Sequence, residues 1–508
     1  MGETSLWGEE LGKPSSEVKR VADSGKKRLK PIDRSQSFWG AIDVEKLIEQ
    51  DHPARGIWAM VMQLDLSGLE EKIQAVEGRA GQNSFDPRLL MALWLYGYSE
   101  GISSARELSR MCEYEPGCQW LTGMQSVNYH ALSDFRANHP AELKQIFIRV
   151  LGLLSAEGLI EMKRITQDGT KVRAHAAAKS FRRKQRIQEH LQFARKHVEA
   201  MSRPESEQLS QRVIQARQRA AQEKMQRLEG ALKQLEQLEQ DRDEEIRVSE
   251  TDPEARIMKQ ADGGFAASYN VQITTDASHG IIVGVDVTQA GNDCDQLVEA
   301  IERVEANTGQ TPEQVLVDGG YTMKNANVEA MAERQIELIG PVPKINSEAS
   351  LKKRGIQPEF YPDKFQYESV LDVFICPAGK QLHATQTRSR DGRVEYSYRA
   401  SSTDCQACPF RDQCCPKNAP RMVVRKEDSP AVHAFRNKME TDEAKQLYRT
   451  RAQIAEFPHA WIKEKLGFRR FQLRGSEKVC TEAIWACLTY NIQQWLRLVW
   501  TPSLQVAA

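Results

Sequence analysis

Three acidic residues stand out for chemistry: Asp168 in ITQDGTKVRAHA, Asp318 at the end of the apolar run QVLVD, and Glu456 in YRTRAQIAEFPHAWIKEK. Basic and aromatic residues flank all three. Carboxylates this far apart in sequence, brought together in space, could hold two Mg²⁺ ions, and a site of that kind cuts and joins phosphodiester bonds. Each acid also has a plainer reading. Asp168-Gly169 and Asp318-Gly319 each read as the start of a turn, and a helical Glu is usually solvated. The neighbours of Glu456 shift the balance. Lys463 lies seven residues on, two helical turns away, and Tyr448 and Arg451 are three apart, so each pair shares a helix face. Basic groups bracketing a carboxylate suit a phosphate beside a metal. Pro458 could kink this helix just past Glu456.

The elements that must carry these residues follow from periodicity. Residues 1–36 are polar and aperiodic and are expected to form a disordered arm. Residues 37–160 read as helical: Asp86-Pro87 starts one helix and Gly101 stops it, Ser103 or Ser104 caps the next, and Pro140 separates two more. This region reads either as a helix-turn-helix-like DNA reader or as a packing domain. Residues 161–175 predict a strand or hairpin with a turn at Asp168-Gly169. Residues 180–248 predict a charged antiparallel helical hairpin split at Pro204, with Met225, Leu228, Leu232 and Leu235 on one seam. This hairpin reads as packing on itself, with a DNA clamp or dimer arm as the alternative. In 268–343, SYNVQITTD and GIIVGVDVTQ predict an antiparallel pair. A helix Cys294 to Asn307 capped by Asp293, the strand QVLVD, a helix and a last strand follow. The order is that of an α/β sheet that starts antiparallel and ends parallel. Residues 344–440 read as irregular, and 441–500 as helical.

Bulk composition narrows the options. The chain has 508 residues, 40% hydrophobic and 28% charged, with formal net charge zero, so about three domains are expected and any affinity for a polyanion must be local. It is local: Lys163 to Lys196 is rich in Lys and Arg, and Arg469, Arg470, Arg474 and Lys478 form a second cluster. No apolar run predicts a membrane span and no signal core opens the chain, so a cytoplasmic protein is expected. No zinc-protease motif, phosphate-cradling loop or dinucleotide fingerprint is present, which argues against ATP and NAD chemistry. Cys376, Cys405, Cys408 and Cys414 or Cys415 contain a C-x₂-C pair, and four such thiolates could form a structural Zn²⁺ site. Free thiols are the alternative. Cys112, Cys118, Cys294, Cys480 and Cys487 read as core residues. His459, one turn from Glu456, could approach the metals.

At this point the chain resembles the DDE-type transposases of bacterial insertion sequences. The resemblance runs from about Ser37 to Leu498. It rests on SSARELSRMCEYEPGCQWLTG, HALSDFRANHP, DGTKVRAHA, DPEARIMKQADGGFAASYNVQ, VLVDGGY and YRTRAQIAEFPHAWIKEKLGFRRFQLRG, in that order. It implies a ribonuclease H-like core, a mixed five-stranded sheet flanked by helices, built from 161–179, 250–343 and 441–500. A helical N-terminal DNA-binding domain (37–160), a helical-hairpin insert (180–249) and a cysteine-bearing insert (344–440) complete the chain. It implies Asp168, Asp318 and Glu456 as catalytic acids on two Mg²⁺ (Mn²⁺ substituting), with Asp168 bridging ions roughly 3.5–4 Å apart. It implies Tyr448, Arg451 and Lys463 on DNA, with Lys171, Arg173 and Arg474 as further contacts, and Tyr448 as a core residue instead is the plainer reading. The Arg-to-Glu spacing is one residue longer than in the best-known form of this signature, so Arg449 or Arg451 faces the phosphate. Position 455 is Ala where relatives often carry a branched residue. The partners implied are terminal inverted repeats and target DNA, bound by a homodimer. Two other functions remain open: an inactive DNA-binding derivative, and a metal-dependent nuclease without strand transfer.

Overall fold

The computed structural model describes residues 41–504 except 74, 76–83, 202–210, 241–245, 344–346, 391–392, 417–418 and 502. The expected arm at 1–36 and the expected split at Pro204 lie outside the described residues.

The helical N-terminal region forms where cap chemistry predicts. Asp86 accepts the N–H of Arg88 and opens the helix Pro87–Ser99, with Pro87 in the first turn, where a missing N–H costs nothing. Gly101 follows at φ 77°. Ser104 caps Ala105–Tyr114, and Asn128 caps Tyr129–Ala137 ahead of Pro140–Ala156. These helices bury Trp94, Tyr98 and Phe135 against Trp485, which belongs to the long C-terminal helix Ser476–Trp495. Arg136 stacks over Trp94 at 4.5 Å and approaches the fully buried Glu482 at 3.9 Å. Glu482 also accepts the N–H groups of Gln472 and Leu473. One cation and two N–H groups thus face it, as a buried carboxylate requires, though burial still raises its carboxyl above the usual range.

The central sheet has six strands: β1 (Arg164–Arg173), β2 (Arg256–Lys259), β3 (Phe265–Asp276), β4 (Ile282–Thr288), β5 (Gln314–Val317) and β6 (Glu337–Ile339). The order is β2-β3-β1-β5-β6, with β4 also on β3. β3 runs antiparallel to β1, β2 and β4, and β1, β5 and β6 are parallel. The expected sheet had five strands. The sixth, β2, pairs with Phe265 to Ser268 while β4 pairs with Asn270 to Thr275, so two short strands share one side of the long β3. The mixed sheet is flanked by helices. Asn491 of the C-terminal helix bonds both the N–H and C=O of Ile282 on β4, which occupies edge groups that would otherwise template another strand.

Two expectations are corrected. Asp168-Gly169 is not a turn: β1 runs unbroken through it, with Asp168 opposite Ile273 and Gly169 opposite Gln272. Gly169 is required by packing instead, since a Cβ there would lie 2.3 Å from Asp293 Oδ1 and 2.5 Å from Gln272 Nε2. Residues 344–440 are not irregular. They contain a five-stranded antiparallel sheet whose strands Gln381–Arg390 and Arg393–Ala400 are mostly polar. Its small core is Phe365, Phe374, Leu382, Tyr398 and Val423. The hairpin helices Lys184–Met201 and Gln211–Gln240 pack Ile187, Leu191 and Ala194 against Leu228, Ala231 and Leu235. Among the described residues, no helix is long and apolar enough to cross a membrane.

Candidate active site

Strand register brings the first two acids together. β1 and β5 are parallel neighbours with Gln167 opposite Val317, so the next residues stand side by side, Asp168 still within β1 and Asp318 just past the end of β5. The Asp318 carboxylate accepts the N–H of Gly320 at 2.8 Å, and Asp168 accepts that of Gly169 at 2.9 Å. Burial pushes the Asp168 carboxyl up to about 6; Arg451 opposes the shift, and the nearby Asp318 and Asp293 charges add to it. A carboxylate raised by burial and by its acidic neighbours is short of positive charge. Hard oxygen donors short of positive charge suit Mg²⁺ or Mn²⁺. Among the described residues, however, no three His, Cys, Asp or Glu side chains stand at metal-ligand spacing.

The helix Asp442–Glu464 crosses β1 and runs on through Pro458. Arg451 is buried, and its Nη2 lies 3.1 Å from Asp168 Oδ1. Arg449 is exposed. His459 Nε2 lies 3.7 Å from Asp168 Oδ2. Burial, with Lys463 and Arg451 nearby, drives His459 down to about 3, so the ring is neutral at ordinary pH. Lys463 donates to Thr170 Oγ1, two residues from Asp168, and burial beside Arg469 lowers its pKa. Tyr448 is half-buried, and its hydroxyl is raised by burial and by the two aspartates, Arg451 opposing. Glu456 differs. It is exposed and makes no hydrogen bond or ion pair among the described residues. Arg451, Ala455 and His459 are successive positions on the inward line of the helix, and Glu456 stands one residue off it, on the flank shared with Lys463.

Of the other basic positions, Lys171 is half-buried on β1. Arg173 is exposed at its end, 3.7 Å from Asp262. Arg474 is exposed and donates to the carbonyl of His175.

Sequence reasoning missed the setting of Asp293. It does not cap a helix beginning at Cys294: the helix is Leu297–Thr308, with Gln296 at its N-cap. The Asp293 carboxylate accepts instead from Asn270 at 2.7 Å and Gln272 at 2.6 Å. Gln272 in turn accepts from Gln167 at 2.8 Å and from Tyr321. A buried polar chain thus runs beneath the acids from β1 through β3 to Tyr321. The one signal in the sequence was polar residues (Asn270, Gln272, Thr274) alternating along a strand otherwise rich in apolar ones.

In the cysteine-bearing sheet, Cys376, Cys405, Cys408, Cys414 and Cys415 line one small cavity of about 30 Å³ beside Arg421. A hydrogen bond from Cys415 lowers the Cys414 thiol. The Cys376 sulfur accepts the N–H of Lys380 at 3.3 Å. The thiols converge, yet they do not stand at metal-ligand spacing.

The family model described as "Transposase DDE domain" matches residues 375–496, and "Transposase domain (DUF772)" matches residues 42–138. No curated protein matches the sequence. Among solved structures, the chain is similar to a piggyBac transposase in a synaptic complex with hairpin DNA. Identity is 9% and the TM-score 0.31, over 91% of this chain and 75% of that one. Transposase family models thus match two separate parts of the chain, one near each end.

Proposed function

We propose that this protein binds the ends of its own mobile element, cleaves DNA there and joins the freed 3′ hydroxyl to target DNA. Asp168, Asp318 and Glu456 are the acids in this reading, and the DDE family generally works with divalent ions. The observation that carries it is the position of Asp168 and Asp318 next to each other on parallel strands, beside Arg451 and Lys463. Bound divalent ions would activate the attacking water or hydroxyl and neutralise charge on the leaving oxygen.

The chain's own groups supply the rest. Asp168 and Asp318 offer carboxylate oxygens already fixed by the backbone N–H groups of Gly169 and Gly320. Glu456 joins them by turning inward from the helix flank. Lys463 and Arg451 hold the phosphate being cut, with Tyr448 beside them, and Lys171, Arg173 and Arg474 carry the strand onward. The neutral His459 keeps water from one side of Asp168. The convergent cysteines suit one structural Zn²⁺ once their side chains close on it. A dimer would pair the two ends.

The test is incubation of purified protein with Mg²⁺ or Mn²⁺ and DNA carrying the inverted repeats that flank its gene. Cutting followed by joining supports the proposal. Binding without cutting would make it an inactive DNA-binding derivative, and cutting without joining a nuclease. Cleavage that survives Asp168→Asn or Asp318→Asn refutes the site.

A further inference from the structure

The foot of the helical hairpin has a character that the catalytic acids do not explain. The two-residue strands Phe181–Arg182 and Val248–Ser249 pair antiparallel and close the hairpin at its root. Beside this ribbon lies a recess of about 400 Å³ walled by arginines, among them Arg182, Arg186 and Arg247, with no carboxylate in its lining. A second cleft, of about 410 Å³, opens between the two helices where they leave the ribbon, and its wall carries Phe193, Lys224 and Arg227 together with His190 and the single carboxylate Glu250. Lys224, Arg227 and Arg247 take part in no ion pair among the described residues, whereas Lys184 and Arg195 of the same hairpin are matched by Glu239 and Glu229. At the foot itself Arg182 lies 4.0 Å from Glu250 and Arg186 2.7 Å from Glu189, so the positive charge there is only partly compensated, with Lys224, Arg227 and Arg247 supplying the excess.

Phe193 adds a second, independent observation. Ile187, Leu191 and Ala194 turn inward to the helix–helix seam, but the Phe193 ring is 68% exposed in the basic cleft. A bare aromatic face flanked by cations is how proteins hold nucleobases with their phosphates. The cleft also connects to the acids. Burial lowers the Arg474 guanidinium, with the Arg227 charge adding to it, Arg474 bonds the carbonyl of His175, and residues 469–471 run along the end of β1 through the Arg173–Arg470 bridge. A basic track leads from Lys463, beside Asp168, to the hairpin foot.

We infer that the hairpin foot is a second DNA-contact surface, with Arg182, Arg186, Arg247, Lys224 and Arg227 on successive phosphates and the Phe193 ring stacked on an unpaired base. The inference takes from the proposed function only that DNA is the polyanion, and it is tested by binding in the absence of divalent metal. Full-length protein, with chelator present, is titrated against labelled duplex carrying a short single-stranded end, at several salt concentrations. Arg186→Gln with Arg247→Gln, and separately Lys224→Gln with Arg227→Gln, should each lower the slope of log affinity against log salt by about 2. Phe193→Ala should weaken binding about fivefold or more on the single-stranded end and leave the salt slope unchanged.

Unchanged affinity and slope in both pairs overturn the inference, as does wild-type protein that binds no DNA. Variants that shift the sedimenting mass of the protein but not its DNA affinity also overturn it and make the face an interface between copies. Patch-dependent binding by a protein that never cuts DNA keeps the inference and defeats the proposed function; cutting by a protein whose patch variants bind normally does the reverse. Circular dichroism on the variants, all at positions at least partly exposed, verifies that the fold is kept.

Discussion

At the residue scale, the site trades stability for chemistry. Asp168 titrates at about 6 in the folded chain, against roughly 3.9 when unfolded. Its protonated form therefore favours folding. That contribution is complete below about pH 4 and is lost as pH rises through about 6, a penalty of about 2–3 kcal/mol at neutral pH. Metal-free Asp168→Asn should accordingly melt higher than wild type at pH 7.5, and the gap should vanish below about pH 4; equal melting temperatures at both pH values would contradict the burial argument. Adding Mg²⁺ should raise the melting temperature of wild type and not of the variant. Gly169→Ala forces a methyl into Asp293 and Gln272, which part only by breaking the polar chain under the acids. A loss of about 2–4 kcal/mol in denaturant unfolding is expected.

At the element scale, the helical hairpin is built as a detachable unit. Its core is its own seam plus Val248, and the ribbon at its root brings residues 182 and 248 together as strand partners. Replacing 184–246 with a short Gly-rich turn should leave the melting transition of the remaining protein within a few degrees. Loss of a cooperative melt in that variant would mean the hairpin supports the core. Leu228→Ala or Leu235→Ala should cost about 2–4 kcal/mol locally, read as faster hydrogen exchange confined to the hairpin. In the cysteine-bearing sheet, metal analysis of the full chain should find about one zinc, lost in Cys405→Ser. A folded, zinc-free wild type would leave the cavity to free thiols.

At the scale of the whole molecule, the N-terminal helices and the central sheet share the C-terminal helix. Trp485 faces Trp94, Tyr98 and Phe135, while Asn491 and Tyr490 of the same helix bond Ile282 and Gly280 beside β4. Cutting the chain after residue 156 should leave both pieces with bare aromatic faces, and the 157–508 fragment should aggregate where the full chain does not. The sequence by itself determined much here. Strand and helix periods, and caps such as Asp86 and Ser104, are local, so the order of elements was legible, as were Asp168 and Asp318 beside glycines. Tertiary structure alone decided three things. A strand with a glycine in it looks like a turn until its partners are known, and it is the pairing of Gly169 with Gln272 on β3 that makes it part of β1. The insert strands are too polar to show a core they share with distant strands. And helical spacing puts Glu456 near the right face without saying which side chains turn inward. Contact with β1 sends Arg451 and His459 to Asp168 and leaves Glu456 on the open flank.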